Sequence, residues 1–110
     1  MTIDEYQRKA LLTAETRYES LMQNTIWAMG VAGEAGEVIE KWKKIVAYKG
    51  GKVSKKDLEE LKKELGDVIW YVTVLANSLG LSLEDVMQTN LTKLADRKKR
   101  KVISGAGDNR

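Results

Sequence analysis

Two pairs of acidic residues carry most of the chemistry this chain can offer. Glu34 and Glu37 stand three apart in Gly33-Glu34-Ala35-Gly36-Glu37-Val38, and Glu64 and Asp67 repeat the spacing in Glu64-Leu65-Gly66-Asp67-Val68. On a helix, residues three apart share a face, so each pair presents its carboxylates side by side. The stretch after Asp67 is apolar (Val68-Ile69-Trp70-Tyr71), which places that pair at the edge of a buried segment. Adjacent anions that lose hydration there cost on the order of several kcal/mol each unless something compensates. Brought together across two helices, the four side chains offer eight carboxylate oxygens. That donor set suits a hard divalent ion, Mg²⁺ or Mn²⁺, and suits a soft metal poorly. The plainer alternative is a solvated acidic face paired with lysines one turn on, and Glu37–Lys41, Glu40–Lys44 and Glu59–Lys63 have that spacing.

The surroundings of the first pair weigh against the plainer alternative. Gly30, Ala32, Gly33, Ala35 and Gly36 crowd around it, although each glycine inside a helix costs about 0.5–1 kcal/mol relative to alanine. Small residues let a second backbone, or a bulky ligand, come close. The rest of the inventory narrows the chemistry further. The chain has no His and no Cys, which excludes imidazole, thiolate ligands, a thiol nucleophile and disulfides. Catalysis here rests on carboxylates, hydroxyls, Lys, Arg or a bound ion.

The elements that position these residues read as helices, with 43% apolar and 32% charged residues in a chain of 110. Thr2 and Glu5 fit a capping box that starts a first helix, with Tyr6, Ala10, Ala14, Tyr18 and Leu21 at helical spacing. A second begins near Thr25 and runs through Trp27, Val31, Val38, Trp42 and Ile45 to the break at Gly50-Gly51. Ser54 caps a third, with a wide apolar face from Leu58 to Leu79 and Gly80 as its C′ residue. Ser82 caps a fourth, which continues through Val86, Leu91 and Leu94. The expected fold is all-α: a single domain over residues 1–110, an antiparallel bundle of about four helices, with residues 102–110 a loop or flexible tail. The apolar faces of the second and third helices exceed what one small chain covers, so homo-oligomerisation, as a dimer or tetramer, is expected to complete the bundle.

The formal net charge is +3, with cations concentrated in Arg97-Lys98-Lys99-Arg100-Lys101. That run reads either as a solvated helix end favoured by the helix dipole or as a contact for phosphate or nucleic acid. No apolar run approaches the roughly 20 residues that span a bilayer, so no membrane partner is expected. Met1-Thr2-Ile3-Asp4-Glu5 is acidic and does not read as a signal peptide, giving a cytoplasmic expectation.

Taken together, Gly33-Glu34-Ala35-Gly36-Glu37-Val38 and Lys63-Glu64-Leu65-Gly66-Asp67-Val68-Ile69-Trp70-Tyr71 closely resemble the E-x-x-E…E-x-x-D signature of MazG-like, all-α nucleoside triphosphate pyrophosphohydrolases. The resemblance continues in Tyr6-Gln7, in Leu79 to Val86, in Asn90-Leu91-Thr92-Lys93-Leu94 and in Gly105-Ala106-Gly107-Asp108-Asn109-Arg110. It implies cleavage of a nucleoside triphosphate between the α and β phosphates, giving a monophosphate and pyrophosphate, in the clearing of surplus or noncanonical nucleotides. It also implies that Glu34, Glu37, Glu64 and Asp67 hold Mg²⁺, and that the chain works as a homodimer or tetramer. Glu34 or Glu37 is the candidate for orienting or deprotonating the attacking water. Lys93 and Arg97, one turn apart, with Asn90 on the same face, are candidates for the remaining phosphate charge; they read equally as exposed helix residues. Trp27 is a candidate for stacking on the base, against an ordinary place in the core, and Gln7 and Asn90 for hydrogen bonds to base or sugar. Asp108, Asn109 and Arg110 read as a lid or as a disordered end. Two other activities stay open: a dUTP or dCTP pyrophosphatase of the same superfamily, and a non-catalytic helical module that binds nucleic acid through Arg97–Lys101. Two buried acidic pairs would repel a polyanion, so nucleic acid is not the expected partner.

Overall fold

Each helix begins where a side chain can satisfy its first amide groups. In the computed structural model, which describes residues 1–110, the helices are α1 (Ile3–Leu11), α2 (Ser20–Lys49), α3 (Lys55–Ser78) and α4 (Leu83–Lys99), and there are no strands. Thr2 and Glu5 exchange hydrogen bonds of 3.1 Å as a capping box, and Ser54 and Asp57 do the same at 3.1 and 2.9 Å. The Ser82 hydroxyl accepts from the Asp85 amide at 3.0 Å. The carboxylate of Glu19 accepts from the amides of Leu21 and Met22, and so starts α2.

The expected run of the first helix out to Leu21 is not what forms. Helix α1 stops at Leu11 and α2 starts at Ser20, ahead of Thr25, so Leu21 belongs to α2 while Ala14 and Tyr18 lie in the irregular link. The reason lies far along the chain. The indole N–H of Trp70 donates to the Ala10 carbonyl (3.2 Å) and to the Thr13 hydroxyl (2.9 Å), and Thr13 donates to the same carbonyl. These donors satisfy a carbonyl that a continuing helix would have used.

Helices α2 and α3 form an antiparallel hairpin, the most extensive packing in the chain. Gly50 and Gly51 both take left-handed backbone (φ 60° and 84°), which glycine adopts without strain, and so close its turn. Gly80 (φ 76°) ends α3 as expected, with the Leu81 amide donating back to the Ala76 carbonyl at 2.8 Å. Beyond it the expected antiparallel bundle fails, because α4 leaves α3 at 105° and makes no contact with α2. Gln7 fixes that direction. Its amide donates to Asn77 Oδ1 (3.2 Å) and to the Leu81 carbonyl (3.1 Å), and accepts from the Leu83 amide (2.8 Å), with Leu83 buried beside it. No single helix is long and apolar enough to cross a membrane.

The core is thin. Nine of 110 residues are buried, among them Ala10, Trp27, Ile45, Val74, Ala76 and Leu83, so most large apolar side chains keep solvent contact. Met29, Ile39, Tyr48, Leu58 and Leu91 are more than half exposed. Val68, Val72, Val86 and Met87 line an apolar groove between α3 and α4.

Candidate metal centre

The faces that α2 and α3 turn toward each other follow from helical repeat: Trp27, Val31, Glu34, Val38, Lys41 and Ile45 on one, Glu60, Glu64, Val68 and Tyr71 on the other, all buried or half-buried. Three acids (Glu34, Glu60 and Glu64) and Lys41 therefore sit among the apolar residues of the seam. Glu34 from α2 meets Glu64 and Asp67 from α3, and one carboxylate oxygen of each lies within 4.8 Å of the others. The consequence for Glu34 is a carboxyl pushed above its ordinary value, first by lost hydration and then by the charges of Asp67, Glu64 and Glu37. Glu37 itself is exposed, stands outside the trio and carries no ion pair.

All donors in the trio are hard oxygens, and two oxygens on opposite sides of a Mg²⁺ ion are about 4.2 Å apart, so the spacing fits one small divalent ion. Lysines do not neutralise the site in the way the spacing predicted. Lys41 bypasses Glu37 and crosses to α3, with Nζ 3.6 Å from Glu60 and 3.5 Å from Glu64. Glu40 takes Lys43 at 2.8 Å as well as the expected Lys44 at 3.7 Å, and Glu59 pairs with Lys62 rather than Lys63. Lys41 is thus the one cation in contact with the trio, and its role was invisible because its partners lie across the seam.

Tyr6 is a second neighbour that the spacing did not reveal. Burial raises its hydroxyl pKa above the usual value, Thr73 beside it lowers it, and the charge of Asp67 raises it, which brings α1 to the edge of the site. Behind the acids lies an aromatic cluster. Trp27 and Trp70 meet edge to face at 5.6 Å, Trp70 and Tyr71 at 4.9 Å, and Trp27 and Tyr71 are tilted at 6.1 Å. Gly30 makes this packing possible, since a Cβ there would lie 2.1 Å from the Tyr71 ring. A Cβ at Gly33, Gly36 or Gly66 would meet nothing within 4 Å, so that side of the hairpin is open.

The remaining sequence candidates are not gathered at the acids. Trp27 is buried in the aromatic cluster, and the Gln7 amide is committed to the α3–α4 link. Asn90 borders the apolar groove. Asp67 lies eleven residues before the end of α3 at Ser78, and Arg97 fourteen after the start of α4 at Leu83. With the 105° bend and the link between them, and a rise of about 1.5 Å per residue, the two lie more than about 20 Å apart. Lys93 and Arg97 instead hold Asp108 of the same chain.

The MazG nucleotide pyrophosphohydrolase domain matches residues 22–102, which include all four acids. Gene 37 protein of Mycobacterium phage L5 is 52% identical over 82 residues, covering 74% of this chain and 72% of that protein. Uncharacterized protein YvdC of Bacillus subtilis (strain 168) is 49% identical over 39 residues, 36% of this chain and 37% of that one. No solved structure matches the chain. With the family's domain spanning all of α2, α3 and α4 but for its first two residues, the chain belongs to the MazG nucleotide pyrophosphohydrolases.

Proposed function

We propose that the protein is a Mg²⁺-dependent nucleoside triphosphate pyrophosphohydrolase that cuts between the α and β phosphates and helps clear unwanted nucleotides. The observation that carries this reading is the trio Glu34, Glu64 and Asp67, gathered in a seam where three anions are otherwise unfavourable. Glu34, Glu64 and Asp67 would hold the ion, and Glu37 is the fourth carboxylate at its outer side. A bound Mg²⁺ neutralises phosphate charge and lowers the pKa of water. Glu37, exposed and without an ion pair, is free to orient the attacking water and take its proton; Glu34 is the alternative. Lys41, the cation in contact with the trio through Glu64, would be available to a phosphate bound there.

The exposed apolar groove between α3 and α4 and the open glycine side of the hairpin support assembly as a homodimer or tetramer. In such an assembly Asn90, Lys93 and Arg97 would meet the phosphates bound at a second copy's acids, given their distance from their own. The test is a panel of canonical and damaged nucleotides with and without Mg²⁺, scored for pyrophosphate against orthophosphate. Pyrophosphate release that needs Mg²⁺ and disappears in Glu64→Gln supports the reading. Full activity in both Glu64→Gln and Asp67→Asn would end it.

A further inference from the structure

Lys41 stands between two carboxylates and grips neither. Its Nζ lies 3.6 Å from Glu60 Oε2 and 3.5 Å from Glu64 Oε1, both beyond the usual length of about 2.7–3.2 Å for an N–H···O bond. Lys49 and Lys43, by contrast, lie 2.7 Å from Asp57 and 2.8 Å from Glu40. The two partners of Lys41 are not equivalent. Glu64 belongs to the acidic trio, whereas Glu60, one turn nearer the hairpin tip, does not. Glu60 also has a second cation, Lys63, 3.5 Å from its other oxygen.

Charge accounts for the shared position. The trio's carboxylates repel one another within 4.8 Å, and Lys41 is the cation that touches them. A divalent ion seated on those oxygens and an ammonium 3.5 Å from one of them would in turn repel each other. Space for the ammonium to retreat lies toward the hairpin tip. A hollow of about 190 Å³ there is lined by Lys41, Tyr48, Asp57 and Glu60, but not by Glu64.

We infer that Lys41 is a positioning residue for the metal centre: a built-in counter-ion that holds Glu64 in the seam until a divalent ion replaces it, and then moves over to Glu60. The inference rests on the metal-dependent reading above and adds an exchange of cations to it. Its consequences have opposite signs at the two positions. Loss of Lys41 removes a competitor, so the ion binds tighter. Loss of the Glu60 charge removes the place of retreat, so the ion binds more weakly. A lysine that merely kept Glu64 in shape would give weaker binding when removed.

The experiment measures Mn²⁺ binding to the full chain without nucleotide, with thermal unfolding in EDTA alongside. Lys41→Met is expected to bind Mn²⁺ about five- to tenfold tighter than the parent, the scale of repulsion between a divalent ion and a unit charge nearby in high dielectric. The same variant should melt lower in EDTA, and Lys41→Arg, which keeps the charge, should behave as the parent in both assays. Glu60→Gln should bind about threefold more weakly, and that loss should shrink when Lys41→Met is added, because no lysine is left to move. Equal or weaker Mn²⁺ binding in Lys41→Met overturns the inference, as does a Glu60→Gln loss undiminished in the double variant. Should Lys41→Met fail to fold, crystals of the parent chain grown with Mn²⁺ decide. Nζ within hydrogen-bond distance of Glu60 and away from Glu64 supports the exchange, and Nζ still beside Glu64 overturns it. Absence of Mn²⁺ binding in parent and variant alike overturns the metal-dependent reading as well, whereas binding that does not tighten overturns this inference alone.

Discussion

Replacing Asp67 with Asn should make the metal-free protein more stable and, at the same time, end its response to Mg²⁺. The size of the effect follows from the spacing of the acids, whose oxygens lie within 4.8 Å of one another. Two unit charges at that distance repel by about 1 kcal/mol in water and about 3.5 kcal/mol at an effective dielectric constant of 20. Asp67 is exposed, which favours the lower figure, and Lys41 already offsets part of the Glu64 charge at 3.5 Å. Removing the charge at position 67 therefore relieves about 1 kcal/mol, a rise of about 4–8 °C in melting temperature for a chain of this size. The assay is thermal unfolding in EDTA and in excess Mg²⁺, with pyrophosphate release measured in parallel. The parent chain should gain stability from Mg²⁺ by linkage, and Asp67→Asn should not. The Glu34 carboxyl should titrate closer to its ordinary value in the variant, though not fully, because lost hydration is the larger cause of its shift. A variant that melts below the parent in EDTA, or gains as much from Mg²⁺, would refute the picture of mutually repelling ligands.

Three further outcomes are expected. Gly30→Ala gains about 1 kcal/mol of helix propensity but overlaps the Tyr71 ring at 2.1 Å, a cost of about 1–3 kcal/mol; urea melts should show a net loss, whereas Gly36→Ala, facing open space, should gain. Trp70→Phe keeps an aromatic ring and loses the donor to Ala10 and Thr13, so about 1–2 kcal/mol of stability should go, with faster amide exchange after Leu11. Asp57, bonded by Lys49 and by Ser54, has its pKa lowered from 3.8 to about 2. The stability it contributes is complete above pH 4 and disappears as pH falls toward 2, so acid titration of Lys49→Met should show a shallower loss over that window.

Much of this architecture was legible from local pattern, because caps act within one turn. Thr2 with Glu5, Ser54 as a cap, and the glycines at 50, 51 and 80 all do what their positions foretold. The errors came where a partner sits far along the chain. Ala14, Tyr18 and Leu21 kept helical spacing past the true end of α1, which an indole sixty residues away decides. Lys41 had an acid one turn before it, yet it crosses to another helix, since Glu60 and Glu64 lie on the face turned toward it. The direction of α4 depends on three hydrogen bonds to Gln7, whose amide gave no hint of that use. At the candidate site the E-x-x-E spacing indicated one face, but a face wraps around a helix. Glu34 points into the seam while Glu37, offset from it by about 60° round the axis, remains outside.

The two glycines joining α2 to α3 also govern which changes of length the protein tolerates. An extra residue within the turn at 50–54 only enlarges a loop, and the helices on either side keep their phase. The same insertion between Glu34 and Ile45 would swing the first acid about 100° away from its partners and advance it about 1.5 Å along the axis. Related chains can therefore vary in the hairpin tip while the stretches from each acid to that tip keep a fixed rotational register.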